Sequence, residues 1–258
     1  MTASPSDQST APDDLDARLA RLGLPGGGVK DRQAALPGPL RAFHRRLLGA
    51  FLTEAGPPAT AVVARLAAEL ELEPRAALAA LAAADVVHTD PATGLVSVAY
   101  PFSGRFTLHR VALAGGPTVQ AMCALDALGI PQMTRRDGRI SSTDPTSGQP
   151  ITVEVHSGAW RWQPTTTVVL AATTAAAGER CGAVADCCCP YINFHADPRD
   201  ADAYRRTHLG MAGELLDQAE AVEAARRVFG GLLDPDSGHD PAGRRPAANG
   251  DGRQRAER

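Results

Sequence analysis

The sequence predicts an α+β fold, a winged-helix-like helical module followed by a domain built on a mixed or antiparallel sheet. Three observations predict it. Apolar residues recur at helical spacing in successive segments from residue 38 to 87. Short alternating segments separated by turn residues dominate residues 101–200. No regular strand–helix alternation announces a parallel, doubly wound sheet. The 258 residues, 44% of them hydrophobic, suffice for one or two domains with real cores.

Taken in order, residues 1–36 are rich in Pro, Gly, Ser and Asp and read as a disordered tail, as do residues 234–258. The helical module spans 37–100. Its first helix is "GPLRAFHRRLLGAFLTEAG", with Leu40, Phe43, Leu47, Leu48 and Phe51 at helical spacing. A second helix, "PATAVVARLAAEL", is followed by a break at "ELEP" and a third helix, "PRAALAALAAADVV". "HTDPATGLVSVAY" then reads as a hairpin. Three helices and a hairpin are a winged-helix outline, which raises DNA binding. The third helix, however, offers Arg75 and then mostly alanine and leucine, with little to meet base edges. A net charge of -3 also argues against a general nucleic-acid binder. The expectation is a packing or dimerisation module.

The second block, 101–233, holds the strand candidates "RFTLHRVAL", "TTTVVLAAT" and "YINFHA". It also holds "GRISSTDPTSGQPITVEV", two strands around a "DPTSG" turn with Ile151, Val153 and Val155 alternating. Two helices, "DADAYRRTHLG" and "GELLDQAEAVEAARRVFGGLL", close it. There is no phosphate-binding glycine loop, GxSxG, HExxH or internal repeat.

The first twenty residues lack a basic region followed by an apolar core, and no apolar run approaches the roughly 18 residues of a membrane span. The expectation is a cytoplasmic protein with reduced thiols. Its five cysteines, an odd number, then read as ligands, nucleophiles or small buried residues rather than a disulfide framework.

"GGPTVQAMCALDALGIP" reads as one helix of roughly three turns, with Pro117 in its first turn, Gly129 at its stop and Pro131 barring continuation. Val119, Met122, Leu125 and Leu128 form its buried stripe, and Cys123 and Asp126 are neighbours on the adjoining face. A carboxyl group beside an apolar flank holds its proton more tightly and can act as an acid near neutral pH. Taken alone, the pair reads more simply as a small buried hydrophobe beside a solvated aspartate. On this reading Cys123 also lies too far into the helix for the dipole to favour its thiolate.

"ADCCCPYINFHAD" places Cys187, Cys188 and Cys189 in a row. As a strand it would put Cys187 and Cys189 on one face and Cys188 on the other, with Pro190 marking an edge or irregular start. Zinc spacing is absent. Simple packing accounts for one or two of the thiols, and a soft-metal site is the third reading.

"MCALDALGIP", followed by "GRISSTDPTSGQPITVEV" and then by a cysteine, three residues and "NF", resembles the organomercurial lyase (alkylmercury lyase) family. The resemblance runs loosely over residues 38–233 and specifically over 119–196. It implies an alkylmercury lyase-type catalytic domain over 101–233, behind the winged-helix-like module. By position it makes Cys123 the first mercury-binding thiol and Asp126 the catalytic acid. Cys189 becomes the second thiol, with Cys188 as fallback and Cys187 and Cys188 as auxiliary thiols. The implied metal set is Cys123, Cys189, Asp126 and the auxiliary Cys188. Three departures stand out: Met122 where an aromatic residue often precedes the first thiol, Asp144 near a hairpin position that often holds a non-catalytic cysteine, and Pro190 where another cysteine often follows the second thiol.

The implied activity is protonolysis of a carbon–mercury bond to a hydrocarbon and Hg(II). No organic cofactor is required. Hg(II) is substrate and product, and external thiols serve its release. The implied partners are small organomercurials, with a mercuric reductase or low-molecular-weight thiols receiving the ion, and neither nucleic acid nor membrane. The rival is a soft-metal-responsive winged-helix regulator, which leaves Asp126 without a role.

Overall fold

The protein is described here by a computed structural model covering residues 15, 17–19, 28–174 and 183–235. The helical module forms as the periodicity predicts: α2 (Gly38–Glu54), α3 (Thr60–Ala68) and α4 (Pro74–Ala83), then a hairpin of β1 (Val87–Thr89) and β2 (Val96–Ala99). Phe43, Leu47, Leu48 and Phe51 line the buried face of α2. The left-handed Ala55 ends that helix.

A helix precedes this module inside the stretch expected to be a tail. Helix α1 (Val29–Ala34) buries Val29, and Leu36 after it is buried too. Leu15 and Leu19 join the same core, and Arg18 pairs with Glu214 and Glu220. These few apolar residues are too sparse to show periodicity, yet enough to dock the segment. The rest of the two expected tails lies outside the described residues.

The hairpin is one end of a larger sheet. Strand β2 pairs with β3 (Phe102–Ser103), β3 with β5 (Thr118–Ala121), and β5 with β4 (His109–Leu113). The sheet continues through β6 (Gly138–Thr143) and β7 (Pro150–His156) to β8 (Ala159–Gln163), eight antiparallel strands in the order β1-β2-β3-β5-β4-β6-β7-β8. Phe51 of α2 stacks on Phe102 of β3 with ring centroids 5.4 Å apart, joining module and sheet through one core. A second sheet places β9 (Val168–Thr173) between β10 (Asn193–His195) and β11 (Ala212–Leu216), again antiparallel. The fold is therefore α+β, with antiparallel sheets behind N-terminal helices.

The remaining helices are α5 (Ala124–Thr134), α6 (Val184–Cys187), α7 (Pro198–Thr207) and α8 (Gln218–Phe229). Asp217 and Glu220 form a capping box that starts α8, so "GELL" before it is strand rather than helix. The helix expected from Pro117 divides in two: residues 118–121 are β5, and the helix starts only after Cys123. Pro131 lies inside α5 rather than beyond it. Its missing N–H removes the helical bond to the Ala127 carbonyl, a cost that the burial of the helix on all sides outweighs.

Gly129 is likewise not a stop signal but a point of close approach. A Cβ there would sit 2.6 Å from Cγ of Phe229 on α8. Gly129→Ala is therefore expected to destabilise the fold by about 1–3 kcal/mol through overpacking, measured by chemical denaturation, although alanine favours helix. A stabilised variant would show that α8 shifts freely away from α5.

Candidate active site

The site is assembled where β5 runs into α5 and where the cysteine triplet turns into β10. Cys123 is the N-cap of α5, in extended conformation, and its Sγ accepts the backbone N–H of Asp126 at 3.4 Å. It thus stands at the helix start, not inside the helix. The Ala124 N–H donates to the Ile192 carbonyl at 3.0 Å, which ties this junction directly to the second segment. That segment is not a strand. The triplet ends α6 and enters a 3-10 turn, Cys189–Tyr191, closed by Tyr191 N–H to the Cys188 carbonyl at 2.8 Å. Pro190, with no N–H to donate, sits in the first positions of that turn.

The consequence is that Cys123, Asp126 and Cys189 converge. One ligand atom from each lies within 4.8 Å of the others, and all three residues are buried. Cys189 Sγ is 3.9 Å from Asp126 Oδ2. Asp126 Oδ1 is buried with no hydrogen-bond partner among the described residues.

The other thiols face elsewhere. Cys188 Sγ lies 3.4 Å from Thr173 Oγ1 and 3.6 Å from Cys187 Sγ, outside the converging group. Cys187 is disulfide-bonded, which corrects the expectation of a free auxiliary thiol there. Cys181 lies outside the described residues.

Burial governs the site's electrostatics. It pushes the Asp126 carboxyl up to about 7, against the hydrogen bond from Cys123 and the positive charge of Arg32. Burial also raises the Cys123 thiol well above its ordinary value, despite its place at a helix N-terminus. The hydrogen bond with Cys123 draws Cys189 down, but burial and the neighbouring Asp126 outweigh it and leave that thiol raised as well. The resting site therefore favours neutral groups: two thiols and a carboxyl poised to give or take a proton near neutrality.

A small cleft of about 50 Å³, partly open to solvent, leads to the three groups. Val29, Leu125, Val184, Ile192, Val228 and Phe229 supply its apolar wall, with Arg32 and Tyr100 beside them. Sequence reasoning missed most of this wall. Val29 and Arg32 lie in a Gly- and Pro-rich stretch whose sole helical signal is Val29, Gln33 and Leu36 at spacings of four and three.

Asp144, at the turn between β6 and β7, has a structural task. Its carboxylate accepts the N–H groups of Ala196 and Thr146, each at 2.7 Å, and lies 3.3 Å from Nδ1 of the buried His195. Burial opposes ionisation of Asp144, but those N–H donors and His195 prevail and hold it below the ordinary carboxylate value. It pins the hairpin to the end of β10, just after the Cys189 turn. Asp144→Ala is expected to cost about 3 kcal/mol of stability at neutral pH. A depressed value stabilises the fold above the unfolded carboxylate value and loses that effect as pH falls through the folded one. The deficit of the variant should therefore shrink below about pH 4, and a deficit independent of pH would contradict the assignment.

Two buried soft thiols and one carboxyl in an apolar cleft are a donor set that could hold a thiophilic metal ion. The sequence profile described as "MerB: Alkylmercury lyase" matches residues 102–230, and the chain belongs to that family. Among solved structures the fold is similar to that of the mercury-bound form of MerB2. That match has a TM-score of 0.62 and 18% identity, over 80% of this chain and 98% of the other. Comparison with curated proteins gives no match. No helix among the described residues is long and apolar enough to cross a membrane.

Proposed function

We propose that the protein cleaves the carbon–mercury bond of small organomercurials by protonolysis, releasing a hydrocarbon and Hg(II). The observation that carries this reading is the convergence of Cys123, Cys189 and Asp126 within 4.8 Å at the end of an apolar cleft. Cys123 captures R–Hg(II) as a thiolate complex, its proton leaving with the displaced ligand. Cys189 then adds to mercury, and its thiol proton passes to the Asp126 carboxylate, whose Oδ2 is 3.9 Å from the sulfur. Two sulfur donors on mercury push electron density onto carbon. Asp126, now a carboxylic acid, gives its proton to that carbon as the bond breaks. The products are R–H and Hg(II) held by two thiolates, which external thiols or a mercuric reductase then unload. The proton that reaches carbon is the one Cys189 surrendered, so no organic cofactor takes part.

A carboxyl held near 7 suits both halves of this relay, because it accepts from a thiol and donates to carbon at little cost in either direction. The rival reading, a mercury-responsive DNA binder, finds no favouring observation. The exposed positions of α4 include Arg75, Ala76, Ala79 and Ala83, a surface without base-reading side chains. The test is headspace detection of benzene from phenylmercury with excess thiol. Release by the wild type supports the lyase. A folded protein that binds mercury and releases no benzene sinks it.

A further inference from the structure

The helix-and-hairpin module takes no part in the chemistry above, yet two of its side chains reach the segment that carries Cys189. Asp85 follows α4 in the left-handed region at φ 51°, a conformation costly for most residues and better tolerated by aspartate. Its Oδ2 accepts the backbone N–H of Val184 at 3.4 Å. Its Oδ1 accepts the Tyr100 hydroxyl at 3.4 Å and lies 2.7 Å from His88 Nε2. Tyr100 follows β2 with 1% of its surface exposed, and its phenolic oxygen accepts the N–H of Ala185 at 2.6 Å. Arg32 of α1 closes the hub, with Nη2 3.7 Å from Asp85 Oδ2 and its guanidinium carbon 6.0 Å from the centre of the Tyr100 ring.

Val184 and Ala185 are the first two residues of α6, and Ala183 before them offers no side-chain cap. The first N–H groups of any helix lack acceptors within it. Here the acceptors come from another part of the fold. Only three residues separate Ala185 from Cys189, and they are held by Cys188 N–H to the Val184 carbonyl at 3.0 Å and by Thr174 N–H to the Cys187 carbonyl at 3.1 Å. An error in where α6 starts is thus passed along a short hydrogen-bonded path to the Cys189 sulfur.

We propose that Asp85 and Tyr100 are positioning residues for Cys189: by capping the start of α6 they hold its sulfur opposite Cys123 and Asp126 for the step in which mercury passes from one thiolate to two. The helical module, on this account, is kept as the back-support of the second thiol. The link to turnover rests on the lyase reading; the link to two-thiolate mercury binding does not.

Two measurements on Tyr100→Phe and Asp85→Asn test it. Tyr100→Phe removes the acceptor of the Ala185 N–H, and Asp85→Asn exchanges one of the two carboxylate acceptors for a donor, both with side-chain shape kept. In turnover of phenylmercury, kcat is expected to fall roughly fivefold to tenfold, the effect of about one hydrogen bond, with KM little changed because Cys123 still captures the substrate. In competition for Hg(II), monitored by thiolate-to-mercury absorption, the variants should surrender the ion at five- to tenfold lower concentrations of a small competing thiol. The decisive arm repeats the competition in a Cys189→Ser background, where neither substitution should add a further loss. A loss that persists there would make the effect merely structural and overturn the proposal, as would wild-type kcat and wild-type mercury retention in either folded variant. If one variant fails to fold, the other decides. If the wild type releases no benzene, the lyase reading fails while the Hg(II) competition still judges the positioning role.

Discussion

Cys123→Ser is expected to abolish benzene release from phenylmercury, by a factor of at least about a thousand, and to remove tight binding of the substrate as well. The serine oxygen is a hard donor with a far higher pKa than a thiol, and mercury discriminates strongly for sulfur. The substitution is unusually clean because Cys123 is the N-cap of α5, with Sγ accepting the Asp126 N–H. Serine is among the preferred N-cap residues, so the helix start and the fold should be kept or slightly strengthened. A variant with an unchanged or raised melting temperature, no benzene and no retained phenylmercury is the expected result. Cys189→Ser should differ from it, still capturing R–Hg(II) on Cys123 but failing at cleavage. A Cys123→Ser protein that turns over at even a tenth of the wild-type rate would transfer the capturing role to another thiol.

Legibility from sequence divided along physical lines. Elements whose apolar residues repeat in their own period were readable: α2 through Phe43, Leu47 and Phe51, and the β6–β7 hairpin through Ile151, Val153 and Val155. The two site segments were readable as chemistry but not as shape. A three-residue repeat of Val119, Met122, Leu125 and Leu128 crosses the β5–α5 junction, so it reads as one helix. The boundary is set instead by pairing of β5 with β3 and β4 and by the bond from Ala124 to Ile192. The Cys187–Cys189 run carries no periodicity of its own. Its turn depends on caps from Asp85 and Tyr100, about a hundred residues earlier, which no local pattern reports. The same holds for Arg32, whose helix docks by a few contacts in a stretch of tail-like composition. Cys189 was singled out by its resemblance to a known motif, and its convergence with Asp126 is a property of the three-dimensional fold alone.

Asp126→Asn is expected to separate binding from chemistry. The amide keeps the size of the carboxyl, so phenylmercury and Hg(II) should still be held by Cys123 and Cys189. It cannot carry a proton from Cys189 to carbon, and benzene release should fall by about a thousandfold, the range of a lost general acid. The same variant reads the electrostatics of the site through stability. Burial raises the folded value of this carboxyl from 3.8 to about 7, so the fold favours the protonated form. The wild type is therefore free of any ionisation cost below about pH 4, and that cost builds as pH rises through 7. Asparagine does not ionise. The variant should gain stability relative to the wild type between pH 5 and pH 8, by roughly 2–3 kcal/mol, whatever constant offset the amide introduces. Denaturant titrations at the two pH values measure this difference. A flat difference would mean that burial does not raise this carboxyl and that Asp126 is a carboxylate throughout the range, a weaker acceptor for the Cys189 proton than a group held near 7. A rising difference together with retained mercury binding and lost cleavage would assign the proton and the metal grip to separate side chains of one site.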